Sequence, residues 1–245
     1  MSTAVKPMPL WQNILYFGVP SALTSAVIYK GLPWMVGRGF HPFWAFMALT
    51  VPLVGLFVAA LVAYGAEGRA WEWASFKERM RLRPMVLQDW GWAALAAAVN
   101  IGGYIGLNFT TPWLGKVLWE PPAALDKVFS DDPKLFAGVV LHGAWWFAGV
   151  YLVVLFFNIA GEELWWRGII QPRQEARLGR HAWILQAFAW TCFHIFWAPD
   201  LIRILPGALM LAYLVQKREN TWIAVVAHST LNILGWVHVM KGVLG

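Results

Sequence analysis

Seven long apolar runs, separated by short polar breaks, constrain this chain more than any other feature: Leu10–Tyr29, Phe43–Tyr64, Trp90–Leu107, Leu135–Ile170, Ala182–Ala198, Leu201–Val215 and Trp222–Met240. Each is of helical length and lacks the short alternating pattern of a barrel strand. Inside a bilayer no water is present to satisfy backbone N–H and C=O groups, so runs of this kind fold as helices. The composition agrees, since 59% apolar and 13% charged residues with a mean hydropathy of +0.54 fit no soluble domain of 245 residues. The expected architecture is all-α: a polytopic transmembrane helical bundle of seven or eight spans, with residues 1–245 forming one transmembrane domain.

Charge sets the expected orientation. Lys6, the cluster Arg69, Lys77, Arg79, Arg81 and Arg83, the group Arg167, Arg173, Arg177 and Arg180, and the pair Lys217 and Arg218 all fall on the N-terminal side of alternating spans. Basic loops stay in the cytoplasm, so the N-terminus is expected there, and the formal charge of +6 reflects these loops rather than a nucleic-acid surface. The first run is too long for a secretory leader and is followed by no small-residue cleavage site, so it reads as an anchor. Residues 66–88, rich in Trp and Arg, read as a cytoplasmic interfacial helix or a solvated loop. The segment from Asn108 to Lys134, with Pro121-Pro122 and Asp131-Asp132, reads as irregular and mildly acidic. Cys192 is the single cysteine, which rules out an intrachain disulfide framework and any cysteine-based zinc site. No internal repeat of the transporter kind is visible.

Ionisable groups inside a span cost roughly 2.5 to 3.5 kcal/mol each on insertion scales, so those present mark candidate sites. They are Glu162 and Glu163 in NIAGEELWWRGII, His194 in AWTCFHIFW, and His228 with Asn232 in VAHSTLNIL. At about 1.5 Å per helical residue, Glu162, His194, His228 and Asn232 all lie roughly 12 to 20 Å in from their flanking loops, so they can meet in one slab. Glu163 and Arg167, four residues apart on one helix face, read as a structural ion pair. Glu162 has no sequence-local partner and is free to act. A carboxylate in a low-dielectric cavity is a suitable general base for water. His194 could orient the same water, and His228 and Asn232, one turn apart, could present two donors to an oxyanion.

The order EExxxR, then an aromatic residue four before a His, then HxxxN resembles the three motifs of the CAAX-protease and bacteriocin-processing family of intramembrane glutamic endopeptidases. Here they are Glu162, Glu163 and Arg167; Trp190 and His194; and His228 and Asn232, within a motif-bearing part spanning about 155–240. The resemblance implies a helical-bundle protease in which the first Glu and the second-motif His activate water while the third-motif His and Asn stabilise the oxyanion. It implies peptide or protein substrates, some lipidated or membrane-anchored, the lipid bilayer as partner, and a setting in the inner membrane of a bacterial cell. The family usually has Phe where this chain has Trp190, a change that keeps an aromatic wall but alters its volume.

No cofactor is expected. Glu162, His194 and His228 could in principle form a zinc set, but HExxH is missing. Cys192 and Ser229 lie beside the histidines without the spacing of a nucleophile dyad. A non-enzymatic membrane immunity or scaffold protein of the same fold, or a transporter, is the alternative reading.

Overall fold

The computed structural model describes residues 5–130 and 132–245; Asp131 of the acidic Asp131-Asp132 pair lies outside the described residues. Helix α1 (Leu10–Ala26) passes through a π-helical turn, Val27–Gly31, into the short α2 (Leu32–Gly37). Helix α3 (Pro42–Ala66) starts where Pro42 pre-sets the helical φ and the His41 ring accepts a hydrogen bond from the Phe43 N–H. A strap follows, carrying the seven-residue α4 (Trp73–Arg79), and leads into α5 (Leu87–Gly106), which Asp89 begins by accepting from the Val86 N–H at 3.2 Å.

The expected irregular segment contains a helix, α6 (Thr111–Val117), initiated around Pro112. The long apolar run Leu135–Ile170 is not helical throughout. Its first residues form a two-stranded hairpin, β1 (Leu135–Phe136) against β2 (Val139–Val140), because Ala137 and Gly138 take φ of 50° and 72° at the turn. Hydropathy cannot separate such a hairpin from the helix behind it. Helix α7 (Trp145–Glu163) then runs into a seven-residue π-helical stretch, Leu164–Ile170, and α8 (Gln171–Leu178). Helix α9 (Ala182–Phe193) ends at His194, where a tight helical segment to Asp200 is broken by Trp197 at φ −122°, ψ 52°. Helices α10 (Leu201–Arg218) and α11 (Thr221–Leu244) complete the chain.

Large apolar side chains such as Ile14, Val51, Val62, Ile105 and Phe156 face outward, whereas Asn13, Arg79, Glu162, Glu163, Arg167 and Gln186 are buried. That inversion suits a lipid solvent. By length and apolarity, three helical stretches can cross a membrane, Pro42–Ala66, Trp145–Arg218 and Thr221–Leu244, and a fourth if the pair Leu87–Gly106 and Asn108–Val117, bent by 42°, is one span. The stretch Trp145–Arg218 holds three of the sequence-defined runs in near-continuous helix, and α1 ends after 17 residues.

Two close approaches fix the bundle where it matters. A Cβ on Gly161 would lie 2.6 Å from the Leu53 carbonyl oxygen, so only glycine lets α7 press against α3 at the residue before Glu162. At Gly207 a Cβ would lie 2.3 Å from the Asn100 Oδ1, which sets how closely α10 meets α5.

Candidate active site

The paired glutamates sit where α7 gives way to the π-helical stretch, a distortion often found at functional sites. A π turn leaves carbonyls poorly satisfied, and side chains from elsewhere meet them. Gln186 on α9 donates to the Trp166 carbonyl at 3.3 Å, and Arg79 on the strap donates to the Gly168 and Ile169 carbonyls. Arg79 is itself held by Glu67 through a bidentate pair at 2.6 Å to each oxygen, and Glu67 also receives Arg69 at 3.1 Å. Burial pushes the Glu67 carboxyl up, but hydrogen bonds and charge from Arg79 and Arg69 outweigh it and hold the group below its ordinary range.

The strap of residues 66–88 holds one short helix, α4, and packs in part against the bundle. Its Trp71 and Trp73 are exposed, as an interfacial helix requires, while Phe76 packs edge-on against Tyr64 and Arg79 is 3% exposed. Further along, the Arg81 carbonyl accepts from the Thr221 N–H at 2.9 Å and the Met80 carbonyl from the Thr221 hydroxyl at 2.7 Å, which ties the strap to the start of α11.

Glu162, His194, His228 and Asn232 line one cavity of about 630 Å³, together with Trp190, Asn158, Asn100, Tyr151, Tyr104 and Asp200. The polar groups of the three motifs have defined partners. The Trp190 indole N–H donates to Glu162 Oε2 at 2.9 Å. The Trp190 carbonyl accepts from His194 Nδ1 at 2.8 Å, so Nδ1 carries hydrogen and Nε2 is the basic nitrogen of the neutral ring. His228 Nδ1 donates to Glu163 Oε1 at 2.8 Å, and the same oxygen receives Arg167 at 3.1 Å. The Arg167 guanidinium also lies 4.7 Å from the centroid of the Trp190 ring. Asn232 donates one amide hydrogen to the His228 carbonyl at 3.1 Å and retains the other.

The candidate residues from the three motifs thus come together. Three features of the site have no signal in the sequence. Glu163 pairs with Arg167 as expected, but it also orients His228, a contact across 65 residues of chain. Trp190 supplies a hydrogen-bond donor as well as an aromatic wall, which Phe cannot do. Asn158, one turn before Glu162 on α7, lines the cavity with its Oδ1 sealed and without a hydrogen-bond partner. Only its i−4 spacing from Glu162 could have pointed to it.

Cys192 is exposed and faces a groove between α1 and α9, and the Ser229 hydroxyl bonds back to the Val225 carbonyl at 2.6 Å. Neither lines the cavity. Among the described residues no group of three His, Cys, Asp or Glu side chains is arranged to hold a metal ion.

No curated protein and no solved structure matches the chain. A family model does: that of the type II CAAX prenyl endopeptidases, Rce1-like, over residues 143–234. The matched stretch begins just before α7 and contains Glu162, Glu163, Arg167, Trp190, His194, His228 and Asn232, whereas α1, α3 and α5, which also line the cavity, lie outside it. Over residues 143–234, therefore, this apolar helical chain is similar to the type II CAAX prenyl endopeptidases of the Rce1-like kind.

Proposed function

We propose that the chain is an intramembrane endopeptidase of glutamic type. The observation that carries this reading is the arrangement at one cavity of a carboxylate held by a single donor, an imidazole with a free Nε2, and a second imidazole backed by a buried carboxylate. A water held between Glu162 Oε1 and His194 Nε2 gives its proton to Glu162 and its oxygen to the scissile carbonyl. The new C–O bond shifts the carbonyl pair onto oxygen, and that oxyanion is met by the remaining Asn232 N–H and by Nε2–H of His228, which in this scheme enters the step protonated on both ring nitrogens beside Glu163. Glu163 stabilises positive charge on His228 during this step, and Arg167 balances Glu163. The tetrahedral intermediate then breaks its C–N bond, and the proton on Glu162 passes to the departing amine.

No metal is required by this scheme, so chelation of purified protein should leave turnover intact. Loss of turnover on chelation, restored by zinc and not by magnesium, would replace the carboxylate scheme by a metal one. Seven or eight spans with the N-terminus and the Arg-rich strap on the cytoplasmic side are the topology we propose, supported by the basic loops around Arg79 and Arg173. The substrate class is a membrane-associated peptide. Cleavage of a fluorogenic peptide ending in an S-farnesylated cysteine and three further residues, by purified protein in detergent, tests the reading. Cleavage by wild type and none by Glu162→Gln is the expected result; equal cleavage by both overturns the role of Glu162.

A further inference from the structure

A peptide that enters this cavity leaves water, and each of its backbone N–H and C=O groups then needs a partner. Soluble proteases commonly offer the edge of a strand for this purpose. The only strands among the described residues, Leu135–Phe136 and Val139–Val140, contribute nothing to the cavity wall. Side chains must therefore take over the pairing.

A carboxamide is the side chain best fitted to do so, because its C=O and N–H lie in one plane and match the C=O and N–H of a peptide group. Three carboxamides line the cavity, each from a different helix: Asn100 on α5, Asn158 on α7 and Asn232 on α11. Asn232 is tied to the His228 carbonyl. Asn100 is 6% exposed and packed over Gly207. Asn158 is different, since no hydrogen bond holds its Oδ1, which is buried without a partner, while the partly buried side chain lines the cavity and a turn of its amide about Cβ–Cγ presents that oxygen to an incoming N–H.

We propose that Asn158 is a substrate-binding residue that pairs through its carboxamide with a backbone peptide group of an extended substrate, beside the scissile bond. The inference rests on the endopeptidase reading and adds the subsite that orders the substrate. The distance is set by the helix. Asn158 precedes Glu162 by four residues, about 6 Å along α7. An extended peptide advances about 3.3 to 3.6 Å per residue, so the group paired with Asn158 lies one to two residues from the bond that Glu162 attacks. Asn158 thus senses backbone and not side-chain identity, which lets the cavity accept varied sequences while demanding an extended chain.

The test separates binding from turnover. The S-farnesylated peptide is prepared with single amide-to-ester replacements at successive positions, each of which removes one N–H and keeps the trans shape. Their affinities are measured for Glu162→Gln protein and for the same protein carrying Asn158→Leu. One ester, one or two residues from the cleavage site, should weaken binding about fivefold to tenfold, and Asn158→Leu should weaken the all-amide peptide by at least as much. With Asn158→Leu present, that ester should cost nothing further. Uniform losses at every ester position, or losses that simply add in the double change, overturn the subsite. The ester scan on protein with Asn158 intact decides the matter even where Asn158→Leu folds poorly. Wild-type protein that binds the peptide with this ester pattern but never cleaves it would refute the endopeptidase reading and leave the subsite standing. Cleavage with an unpatterned ester scan would do the reverse, and absence of any binding would refute both.

Discussion

Glu162 is 3% exposed, lines the cavity and accepts one hydrogen bond, from Trp190; Glu163, the next residue, is fully buried and lies between Arg167 and His228. A helix turns about 100° per residue, so one position faces the cavity and its neighbour faces the packed interior. The same side chain then serves two ends. At the cavity, few partners keep the carboxylate available for water. In the interior, the Arg167 guanidinium and the His228 N–H offset the cost of burying charge, and that set carries the orientation of His228 outward to the cavity.

The largest effect should come from the cavity side. Glu162→Gln keeps shape and the acceptor for Trp190 while removing the base, so turnover should fall by at least about a hundredfold, the lower end of general-base contributions. Thermal stability should change little. Single-turnover rates on folded protein, measured beside a melting curve, check both halves; an active Glu162→Gln protein would break the contrast between the two glutamates.

Glu163→Gln should damage stability first and turnover second. Removing one member of a buried ion pair typically costs about 3 to 5 kcal/mol, and here Arg167 already has Nε and Nη2 without hydrogen-bond partners. The variant should therefore melt well below wild type. Because His228 then faces a neutral amide in place of a carboxylate, the fraction that remains folded should also turn over roughly tenfold more slowly. A variant with lowered melting temperature and wild-type turnover per folded molecule would show that Glu163 only neutralises Arg167.

The sequence made the cavity side of this contrast legible and left the interior side half-read. Motif order and depth bring Glu162, His194, His228 and Asn232 together because those residues are polar inside apolar runs, and the cost of placing them there is visible in composition alone. The Glu163–Arg167 pair follows from spacing on one helix. Its bond to His228 does not, since it depends on how α7 packs against α11. The π-helical stretch is likewise illegible, because it is held by Arg79, Gln186 and the approach of α3 at Gly161, all distant in sequence. The hairpin at Leu135–Val140 was hidden in an apolar run for the simpler reason that hydropathy carries no backbone geometry.

Trp190 links the two glutamates, since its N–H meets Glu162 while its ring lies over Arg167. Trp190→Phe keeps a ring for Arg167 and removes the donor together with part of the ring volume. Hydrogen bonds to charged groups are worth about 1.5 to 3 kcal/mol, and part of that is recovered by water in the cavity, so kcat should drop about tenfold. KM should stay within about twofold, while the melting temperature should fall by several degrees, because the smaller ring leaves buried volume unfilled. A change confined to KM would instead make Trp190 a wall for substrate.

The smallest effect should lie farthest from the cavity, in the strap. Glu67 holds Arg79, which supports the carbonyls of the π-helical stretch beneath both glutamates. Its carboxyl titrates below the ordinary value of 4.5 when folded, so its contribution to stability is full above 4.5 and is lost as pH falls through the lower folded value. Melting temperature should therefore decline more steeply with acid in wild type than in Glu67→Gln, whose amide has no proton to gain. At neutral pH the order reverses, and Glu67→Gln should melt a few degrees lower, because Arg79 loses its carboxylate but keeps the Gly168 and Ile169 carbonyls. Turnover per folded molecule should change less than in Glu163→Gln, since Arg79 touches the π-helical stretch and neither Glu162 nor His228. Parallel acid-melting curves for the two proteins would remove Glu67 from this account and leave the π-helical stretch to the packing of α3 and α9 alone.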